Sequence, residues 1–333
     1  MKITSVNLTN FRNHSQYHLD CRSSTSLILG SNGWGKTSIL EAIYIASQGK
    51  SFRATDTEIV KYQTDFYRIE IQFSDHEKRI VTYDGKTKTF ILADKKNKRL
   101  PTQQKIPIVL FLPSDLNFIN HSPSYRRNYF DHVFTQLNPL YHQQLLKYDK
   151  ALKQRNALLK NSSLNPKTLF SWNILLAKYG LNLFCLRQQF IKLFNQSLTK
   201  TYRTIAKNRD QIDLLYQSDL FQVSNDQYLQ ILEDNFQKDL LLGHTSFGIH
   251  RDDYLLQFNT KPAQTSASRG ETRSMILSLK FIEANLIEQK LNTKPLILLD
   301  DVFSELDQTR RQCLVKNFQN NQVFITSVED VID

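Results

Sequence analysis

One stretch limits the folds open to this chain more than any other. It occupies residues 30–37 and reads Gly30-Ser31-Asn32-Gly33-Trp34-Gly35-Lys36-Thr37. An apolar run at 27–29 precedes it, and a segment with helical spacing at 38–44 follows it. Glycines at this spacing let the backbone curl until its N–H groups point at a triphosphate, and the following helix adds the positive end of its dipole. The pattern G-x-x-x-x-G-K-[ST] between a strand and a helix predicts a phosphate-binding loop.

Two side chains of this loop have chemistry of their own. Lys36 can reach the β and γ phosphates of a nucleotide, and Thr37 can hold Mg²⁺. We therefore expect residues 30–37 to bind a nucleoside triphosphate, Lys36 to take part in catalysis and Thr37 to be a magnesium ligand. The alternative is an ordinary glycine-rich turn that leads into a helix, and it weakens once the other motifs are counted.

The second chemical motif lies near the end of the sequence. Four aliphatic residues at 296–299 predict a buried strand, and Asp300 and Asp301 follow at its C-terminal end. In an open parallel sheet, ligands bind at that edge. Asp300 is placed to hold Mg²⁺, and Asp301 is placed to orient or deprotonate the attacking water. An apolar run that ends in Asp is common, so this signal gains its weight from the phosphate loop.

The composition fits a large soluble protein. With 333 residues, the chain can form one large or two moderate domains. Its three cysteines lie far apart, which predicts neither a zinc site nor a disulfide framework and fits a cytoplasmic protein. No apolar signal-peptide core is evident at the start. The most apolar segment, 169–186, contains Asn173, Lys178 and Asn182, so we interpret it as a helix buried in protein and expect no membrane partner.

The chain is also strongly basic, with a formal net charge of +11. A charge of this size suits a polyanionic partner, and it favours DNA or RNA over an acidic membrane surface. Many soluble proteins are basic without binding a polyanion, however, so charge alone leaves the question open.

The predicted elements divide the chain into three parts and an α/β fold with a helical insertion. We expect 1–121 to be the N-terminal part of an α/β lobe, 122–240 to be an inserted helical lobe, and 241–333 to be the C-terminal part of the α/β lobe. Strands are predicted at 2–8, 26–29, 68–73, 79–83, 89–92, 108–112, 254–258, 296–300 and 322–327.

A heptad pattern runs through the inserted part. Apolar side chains recur in alternating steps of three and four at Leu169, Trp172, Leu176, Tyr179, Leu183, Leu186, Phe190 and Leu193. This is the spacing of a coiled coil. Because a turn signal at 161–166 separates it from a preceding helical segment, we predict an antiparallel helical hairpin. The pattern leaves open whether the hairpin projects as an arm or packs within a globular lobe.

A third motif precedes a predicted helix at 271–290. Ser268 and Gly270 offer a hydroxyl and N–H groups to an anion, although in isolation they are better explained as a helix cap. With this motif, the chain resembles the ABC-type ATPases, in the branch that includes structural-maintenance and double-strand-break repair ATPases. Ser268-Arg269-Gly270-Glu271 is similar to their signature motif, and Ser304-Glu305-Leu306-Asp307 is similar to their D-loop.

At closer range the chain is similar to the RecF family of bacterial recombination-repair proteins. The similar motifs extend over nearly the whole chain, at 10–13, 49–53, 123–127, 130–131, 248–253 and 299–307. The resemblance implies an ABC-type ATPase head with ATP and Mg²⁺ as cofactors. In such ATPases the signature segment of one subunit closes over the nucleotide of the other, so Ser268 and Gly270 are expected to contact the γ-phosphate in trans. Arg12 matches an arginine that lies near the nucleotide in related repair ATPases.

The same resemblance implies a biological role. RecF-like proteins bind gapped DNA or single-strand/double-strand junctions and work with RecO and RecR to load the recombinase RecA. We therefore expect an ATP-dependent homodimer on DNA, with a weak, DNA-stimulated ATPase, that serves recombinational repair of DNA damage, replication and the SOS response.

Three positions depart from the transporter-type ATPases. Asp301 stands where those enzymes carry Glu, no histidine lies near Thr326, where they place a switch histidine, and Glu271 replaces the usual Gln. The shorter Asp301 side chain is expected to hold water less well, which is consistent with slow turnover. We assign no nucleotide contact to Glu271.

Other functions compete with this interpretation. The main alternative is a nucleotide-switched protein scaffold in which hydrolysis and DNA contact are secondary. The motor subunit of a membrane transporter conflicts with the missing switch histidine, the helical insertion and the basic charge. A small-molecule kinase would have no use for a signature motif and a D-loop.

Several other residues have two interpretations. Arg126 and Arg127 could face phosphate or begin a solvated helix. The sequence 250–253 resembles a metal or catalytic cluster, but its adjacent Asp residues point to opposite sides, which favours ion pairs. The role of Trp34 is left open. Candidates for DNA contact on the hairpin, most of which could simply be solvated, are Lys147, Lys150, Lys153, Arg155 and Lys160.

Overall fold

The computed structural model describes residues 2–161 and 165–328. The strands are β1 (Ile3–Phe11), β2 (His14–Asp20), β3 (Thr25–Leu29), β4 (Tyr67–Phe73), β5 (Lys78–Tyr83), β6 (Lys88–Leu92), β7 (Lys95–Asn97), β8 (Ile108–Phe111), β9 (Ile212–Gln217), β10 (Asp253–Phe258), β11 (Lys261–Pro262), β12 (Leu296–Asp300) and β13 (Val323–Ser327). The helices are α1 (Lys36–Gln48), α2 (Asp56–Ile59), α3 (Pro123–Leu137), α4 (Pro139–Leu159), α5 (Pro166–Ala206), α6 (Asn225–Asp234), α7 (Phe236–Leu242), α8 (Ala263–Ser266), α9 (Arg269–Leu291) and α10 (Gln308–Phe318).

Packing divides the chain into two compact units. The first unit comprises Met1–Leu116 and Ile287–Asp333, and the second comprises Asn117–Leu286. The predicted C-terminal lobe, 241–333, thus lies on both sides of the division. The predicted strands are present, with bounds that differ by a residue or two, whereas β2, β7 and β9 were not predicted.

One sheet of the first unit is antiparallel, in the order β2-β1-β4-β5-β6-β7. Its central strands bury alternate residues, as in β4, where every second side chain from Tyr67 to Phe73 is buried. This alternation is typical of a sheet with one face against a core and the other toward solvent. The period of two is also what made these strands predictable.

The other sheet of the first unit is parallel, in the order β3-β13-β12-β8. All residues of β12 and β13 are buried, as expected for strands covered on both faces. Because β13 lies between β3 and β12, the loop after β3 and the residues after β12 emerge at the same edge, one strand apart. This topology positions the candidate site.

Helix α1 lies in the core of the first unit. Its side chains are buried on every side, which is typical of a helix enclosed by other elements. Ile39, Leu40 and Ile43 belong to the same apolar cluster as strands of both sheets. The two ends of the chain meet nearby, because the Gln322 amide accepts a hydrogen bond from Ile3 N at 2.8 Å and donates one to Ile3 O at 2.6 Å.

The second unit is built around an antiparallel pair of helices, α4 and α5. Contacts such as Asn182 with Gln144 and Lys147 with the Tyr179 ring show the antiparallel register. The hairpin prediction is confirmed, although residues 162–164 of its predicted turn lie outside the described residues. Helix α5 also packs against β9 and α6, so the hairpin is part of a globular unit rather than a projecting arm.

Helix α5 is long and apolar enough to cross a membrane by length and composition. Its contacts with α4, α6 and β9 are those of a core helix. The buried face differs from the predicted heptad seam. Leu169, Leu176, Leu183 and Phe190 are buried as predicted, but the alternate positions are taken by Asn173, Gly180, Arg187 and Phe194 instead of Trp172, Tyr179, Leu186 and Leu193.

Buried ion pairs connect the elements of the second unit. Arg187 of α5 is 2.9 Å from Asp131 and 3.1 Å from Asp252, and it also donates to Tyr141 Oη. Arg126 forms a two-pronged pair with Asp253, with both N–O distances at 2.7 Å. The ion-pair interpretation of Asp252 and Asp253 is therefore confirmed.

Three arginines thus differ from what the sequence suggested. Arg126 is buried against Asp253, and Arg127 donates to Asp252 O at 2.7 Å, so neither begins a solvated helix. Arg155, a candidate for DNA contact, is fully buried and pairs with Asp239 at 2.7 Å. A buried arginine that already has its carboxylate is not available to phosphate, so Arg155 leaves the set of candidates.

Candidate functional site

The phosphate loop curls between β3 and α1 through left-handed backbone positions. Gly33 has φ +81° and Gly35, which precedes the first residue of α1, has φ +102°. These are values that side chains with a Cβ rarely adopt. Within the loop, the Lys36 ammonium donates to Gly30 O at 2.6 Å and lies 3.3 Å from Ser31 O. The lysine is thus folded back over its own loop, where phosphate oxygens are expected.

The turn between β1 and β2 holds this loop from the other side. Asn13 donates its amide to Trp34 O at 2.9 Å and to Gly33 O at 3.2 Å, and His14 Nε2 lies 3.2 Å from Gly35 O. A Cβ built on Gly35 would overlap the Asn13 amide and lie 2.6 Å from His14 Nε2. Gly35 therefore serves both the backbone conformation and the close approach of this turn.

Trp34 contacts the same hairpin rather than the cavity. Its indole packs edge-on against the rings of His14 and Tyr17, with centroid distances of 5.5 and 5.6 Å. Its side chain is 42% exposed, and it is not among the residues that line the cavity described below. Trp34 thus fastens the outside of the loop to β2, a role that the sequence did not indicate.

Thr37 and Asp300 meet at the edge of the parallel sheet. The Thr37 hydroxyl lies 2.8 and 3.0 Å from the two carboxylate oxygens of Asp300. From the strand between them, the Thr326 hydroxyl donates to Asp300 Oδ1 at 2.9 Å. Burial raises the pKa of Asp300, while hydrogen bonds from Thr37 and Thr326 oppose that rise.

This pair fits the magnesium site that the sequence predicts. A carboxylate and a hydroxyl are the hard oxygen ligands that Mg²⁺ prefers, and Mg²⁺ in nucleotide sites takes its remaining ligands from phosphates and water. A carboxylate that burial makes costly to ionise is stabilised by a neighbouring cation. In the described part of the chain, no group of three or more His, Cys, Asp or Glu side chains could hold a metal.

Asp301 turns away from the strand and lines the cavity. Its backbone is left-handed, with φ +52°, and its N–H donates to the Thr326 hydroxyl at 2.9 Å. Its Oδ1 is buried and has no hydrogen-bond partner within the described residues. The next turn is tied to it, because Ser304 Oγ donates to Asp301 O at 2.7 Å. An acceptor atom so placed is available to a water molecule.

The predicted residues converge on one cavity of about 790 Å³ in the first unit. Its lining includes Arg12, Ser31, Asn32, Gly33, Gly35, Lys36, Thr37 and Asp301. Gly30, Trp34 and Asp300 are not among the lining residues, although Gly30 and Asp300 bond to Lys36 and Thr37, which are. The structure thus brings together the motifs at 30–37 and 300–301, together with Arg12.

Arg12 is held by a buried carboxylate. Its guanidinium donates to both oxygens of Glu41 at 2.9 Å and to Glu58 O at 2.9 Å, and Arg53 pairs with the same carboxylate at 2.9 Å. Burial alone would raise the pKa of Glu41, but hydrogen bonds from Arg12, Arg53 and Ser51 lower it. Arg12 therefore lies at the cavity with its charge already balanced.

The predicted signature residues belong to the second unit. Ser268 N donates to Glu271 Oε2 at 2.7 Å, and Glu271 N donates to Ser268 Oγ at 3.3 Å. This reciprocal pair is a capping box at the start of α9. Ser268 is exposed there. Glu271 thus has a structural role, in keeping with the decision to assign it no nucleotide contact.

Comparison with known proteins places the chain in a family. The family model described as RecF/RecN/SMC N terminal domain matches residues 2–332. The DNA replication and repair protein RecF of Clostridioides difficile (strain 630) is 34% identical, over 99% of this chain and 92% of that protein. The chain belongs to the RecF family. The RecF protein of Ruminiclostridium cellulolyticum is also 34% identical, over 98% of this chain and 92% of the relative.

Solved structures agree with this family assignment. The recombination mediator protein RecF-ATPrS of the RecFOR pathway superposes with a TM-score of 0.88 at 27% identity, covering 99% of this chain and 93% of that chain. An SmcHead bound to the C-winged helix domain of ScpA has a TM-score of 0.53 at 13% identity, which shows a shared fold. The prediction of an α/β ABC-type ATPase head related to RecF and structural-maintenance proteins is confirmed.

Sequence reasoning missed several residues of the site. Thr326 supports both aspartates, Glu41 anchors two arginines, and Asn13 holds the phosphate loop. A signal existed only for Glu41, because it is a lone acidic residue within the apolar run 39–46. Thr326 and Asn13 act through distant parts of the chain, and no local pattern marks them.

Proposed function

We propose that this protein is an ATP-dependent DNA-binding protein of DNA replication and recombinational repair, which binds and slowly hydrolyses ATP. The observation that carries the proposal is the convergence of Lys36, Thr37, Asp300 and Asp301 at one edge of the parallel sheet. Its relatives named for DNA replication and repair, and a structural neighbour named as a complex with an ATP analogue, support the same function.

The residues of the cavity can divide the work of phosphoanhydride hydrolysis. The loop N–H groups and the Lys36 ammonium stabilise charge on the phosphates, and Thr37 and Asp300 hold Mg²⁺. When bound, Mg²⁺ neutralises charge that develops on the β and γ phosphate oxygens. Asp301 Oδ1 accepts a hydrogen bond from the attacking water, orients it and receives its proton. We expect slow turnover, because the aspartate side chain is short.

Dimerisation belongs to the same proposal. The exposed start of α9 presents the Ser268 hydroxyl and the Gly270 N–H, and these contact the γ-phosphate held by a second copy of the chain. ATP then joins two subunits. In this state the protein binds gapped DNA or a single-strand/double-strand junction in the cytoplasm and works with RecO and RecR. The net charge of +11 supports a polyanionic partner.

The experiment that tests this function measures DNA binding by the Asp301→Asn variant. Fluorescence anisotropy with a gapped duplex is recorded with and without ATP and Mg²⁺, at two salt concentrations. We expect ATP-dependent binding that weakens with salt, since phosphate contacts release counterions. Lys36→Ala, which removes the phosphate-binding ammonium, is the control and should lose the ATP effect.

The outcome separates the two leading functions. DNA binding that does not respond to ATP in the Asp301→Asn variant, or no DNA binding at either salt concentration, would contradict the proposal and favour the nucleotide-switched scaffold.

A further inference from the structure

The cavity has lining residues that the phosphate chemistry does not use. Besides the phosphate loop, Arg12 and Asp301, the lining includes Val60, Tyr62 and Gln63, from the segment that follows α2. None of these three residues belongs to a motif identified from the sequence. They contribute an aliphatic, an aromatic and an amide side chain, which is a different chemistry from that of the glycine-rich loop.

Tyr62 is the notable member of this group. Its side chain is 85% exposed, although it lines a cavity of about 790 Å³. Across the described residues, its ring has no stacking partner and its hydroxyl has no hydrogen bond. An aromatic ring gains free energy when a flat apolar surface covers it. The position of Tyr62 therefore calls for a ligand with such a surface.

The segment that carries Tyr62 is fixed in place. Lys61 N donates to Asn10 O at 3.0 Å, and Thr64 N donates to Lys61 O at 3.1 Å, which closes a turn with Tyr62 and Gln63 at its centre. Gln63 has φ +63°, as the third residue of such a turn requires. Tyr62 is thus presented on a closed turn rather than on an open loop.

The same turn is tied to the phosphate loop through one residue. Lys61 Nζ donates to Asn13 O at 3.1 Å, and the Asn13 amide donates to Trp34 O at 2.9 Å. Asn13 therefore links the Tyr62 turn on one side to the phosphate loop on the other. This link sets the position of the tyrosine relative to the place where the phosphates bind.

We propose that Tyr62 forms the nucleobase subsite of this cavity. Its ring stacks on the base of the nucleotide whose triphosphate lies on residues 30–37, with Val60 as an apolar neighbour. The inference rests on the proposed ATP binding and adds how the base is recognised. Arg12 is less suited to this role, because Glu41 and Glu58 O already hold its guanidinium. Because every base has a π-face, the stack favours nucleotides over inorganic phosphates rather than one base over another.

The test compares two ligands that differ in the base. Dissociation constants for ATP and for tripolyphosphate are measured by isothermal titration calorimetry, with Mg²⁺, on the full chain. Tyr62→Ala should weaken ATP binding about 5- to 150-fold, the range for loss of one base stack. Tripolyphosphate binding should not change. Tyr62→Phe keeps the ring and should bind ATP as the unsubstituted protein does.

A neighbouring aromatic residue supplies the matched control. Phe66 is 46% exposed and is not among the lining residues, so Phe66→Ala should leave both ligands unaffected. Unchanged ATP affinity in Tyr62→Ala would overturn the inference, and so would equal losses for ATP and tripolyphosphate. Failure of ATP binding itself is a separate result, since Lys36→Ala would then bind ATP no more weakly than the unsubstituted protein.

Discussion

Gly33 and Gly35 share a left-handed backbone but differ in what surrounds them. A Cβ on Gly33 would meet no heavy atom within 4 Å, whereas one on Gly35 would collide with Asn13 and His14. Gly33→Ala should therefore destabilise the protein only by backbone strain, roughly 1–2 kcal/mol. Gly35→Ala should cost more and should also weaken ATP binding, because the β1–β2 turn must move. Urea unfolding and ATP titration of both variants measure the difference.

The pair contains its own control, since the chemical change is identical at both positions. Equal losses of unfolding free energy would show that the approach of Asn13 and His14 does not constrain the loop. Asn13→Ala in the Gly35→Ala background gives a further check, because removing the colliding amide should recover part of the lost stability.

Single residues also show what the sequence can reveal. Lys36, Thr37, Asp300 and Asp301 were predicted because each lies in a short pattern whose chemistry depends on spacing within that pattern. Thr326 could not be predicted, since its role comes from the strand order that puts β13 between β3 and β12. The metal and water roles of the aspartates remain predictions of the proposed mechanism.

Helix α5 shows the same limit for an element. Its length and hairpin partner followed from apolar periodicity, but half of the predicted seam was displaced by one residue. The actual buried face includes Gly180, where a Cβ would lie 2.8 Å from the Tyr228 ring, and Arg187, which holds two aspartates. A pattern built from apolar residues cannot detect positions where close approach or buried charge selects the side chain.

The short turn at Ile249–Arg251 gives a pH prediction for the second unit. His250 accepts from Tyr148 Oη and donates to Thr245 O, at 2.8 and 3.0 Å, so it is neutral. Burial, with Arg251 and Arg127 nearby, lowers the pKa of His250 to about 4. The unfolded chain takes up this proton below about pH 6.5, so stability is lost as the pH falls from there toward 4.

The measurement is the free energy of unfolding at pH 7 and pH 5. Between these values the unsubstituted protein should lose about 2 kcal/mol through His250, and His250→Gln should lack that part of the loss. If both proteins show the same pH dependence, His250 is not the group responsible.

For the whole molecule, the proposed dimer makes a specific prediction. Ser268→Arg places a bulky side chain at the exposed start of α9 and should abolish the ATP-dependent dimer without lowering ATP affinity. Light scattering on a size-exclusion column, with ATP and Mg²⁺ and in the Asp301→Asn background, measures the mass. Thr265→Arg on α8 adds the same charge three residues away and should still dimerise. Normal dimers of Ser268→Arg would rule out the trans contact.

The α/β head could be predicted because its motifs follow one another in a fixed order along the chain. The second unit offered less, since its three-stranded sheet of β9, β10 and β11 lies among helices and its buried arginines look like surface charge in the sequence. What sequence lacks in both units is the pairing of distant segments.

The position of β13 has a consequence for protein synthesis. This strand, Val323–Ser327, fills the gap between β3 and β12, and Gln322 beside it bonds to Ile3. A nascent chain that has emerged only as far as α10 therefore has its glycine-rich loop and its aspartates but no strand to hold them side by side. Nucleotide binding begins after translation has passed residue 327, and until then the open strand edges depend on chaperones for protection from aggregation.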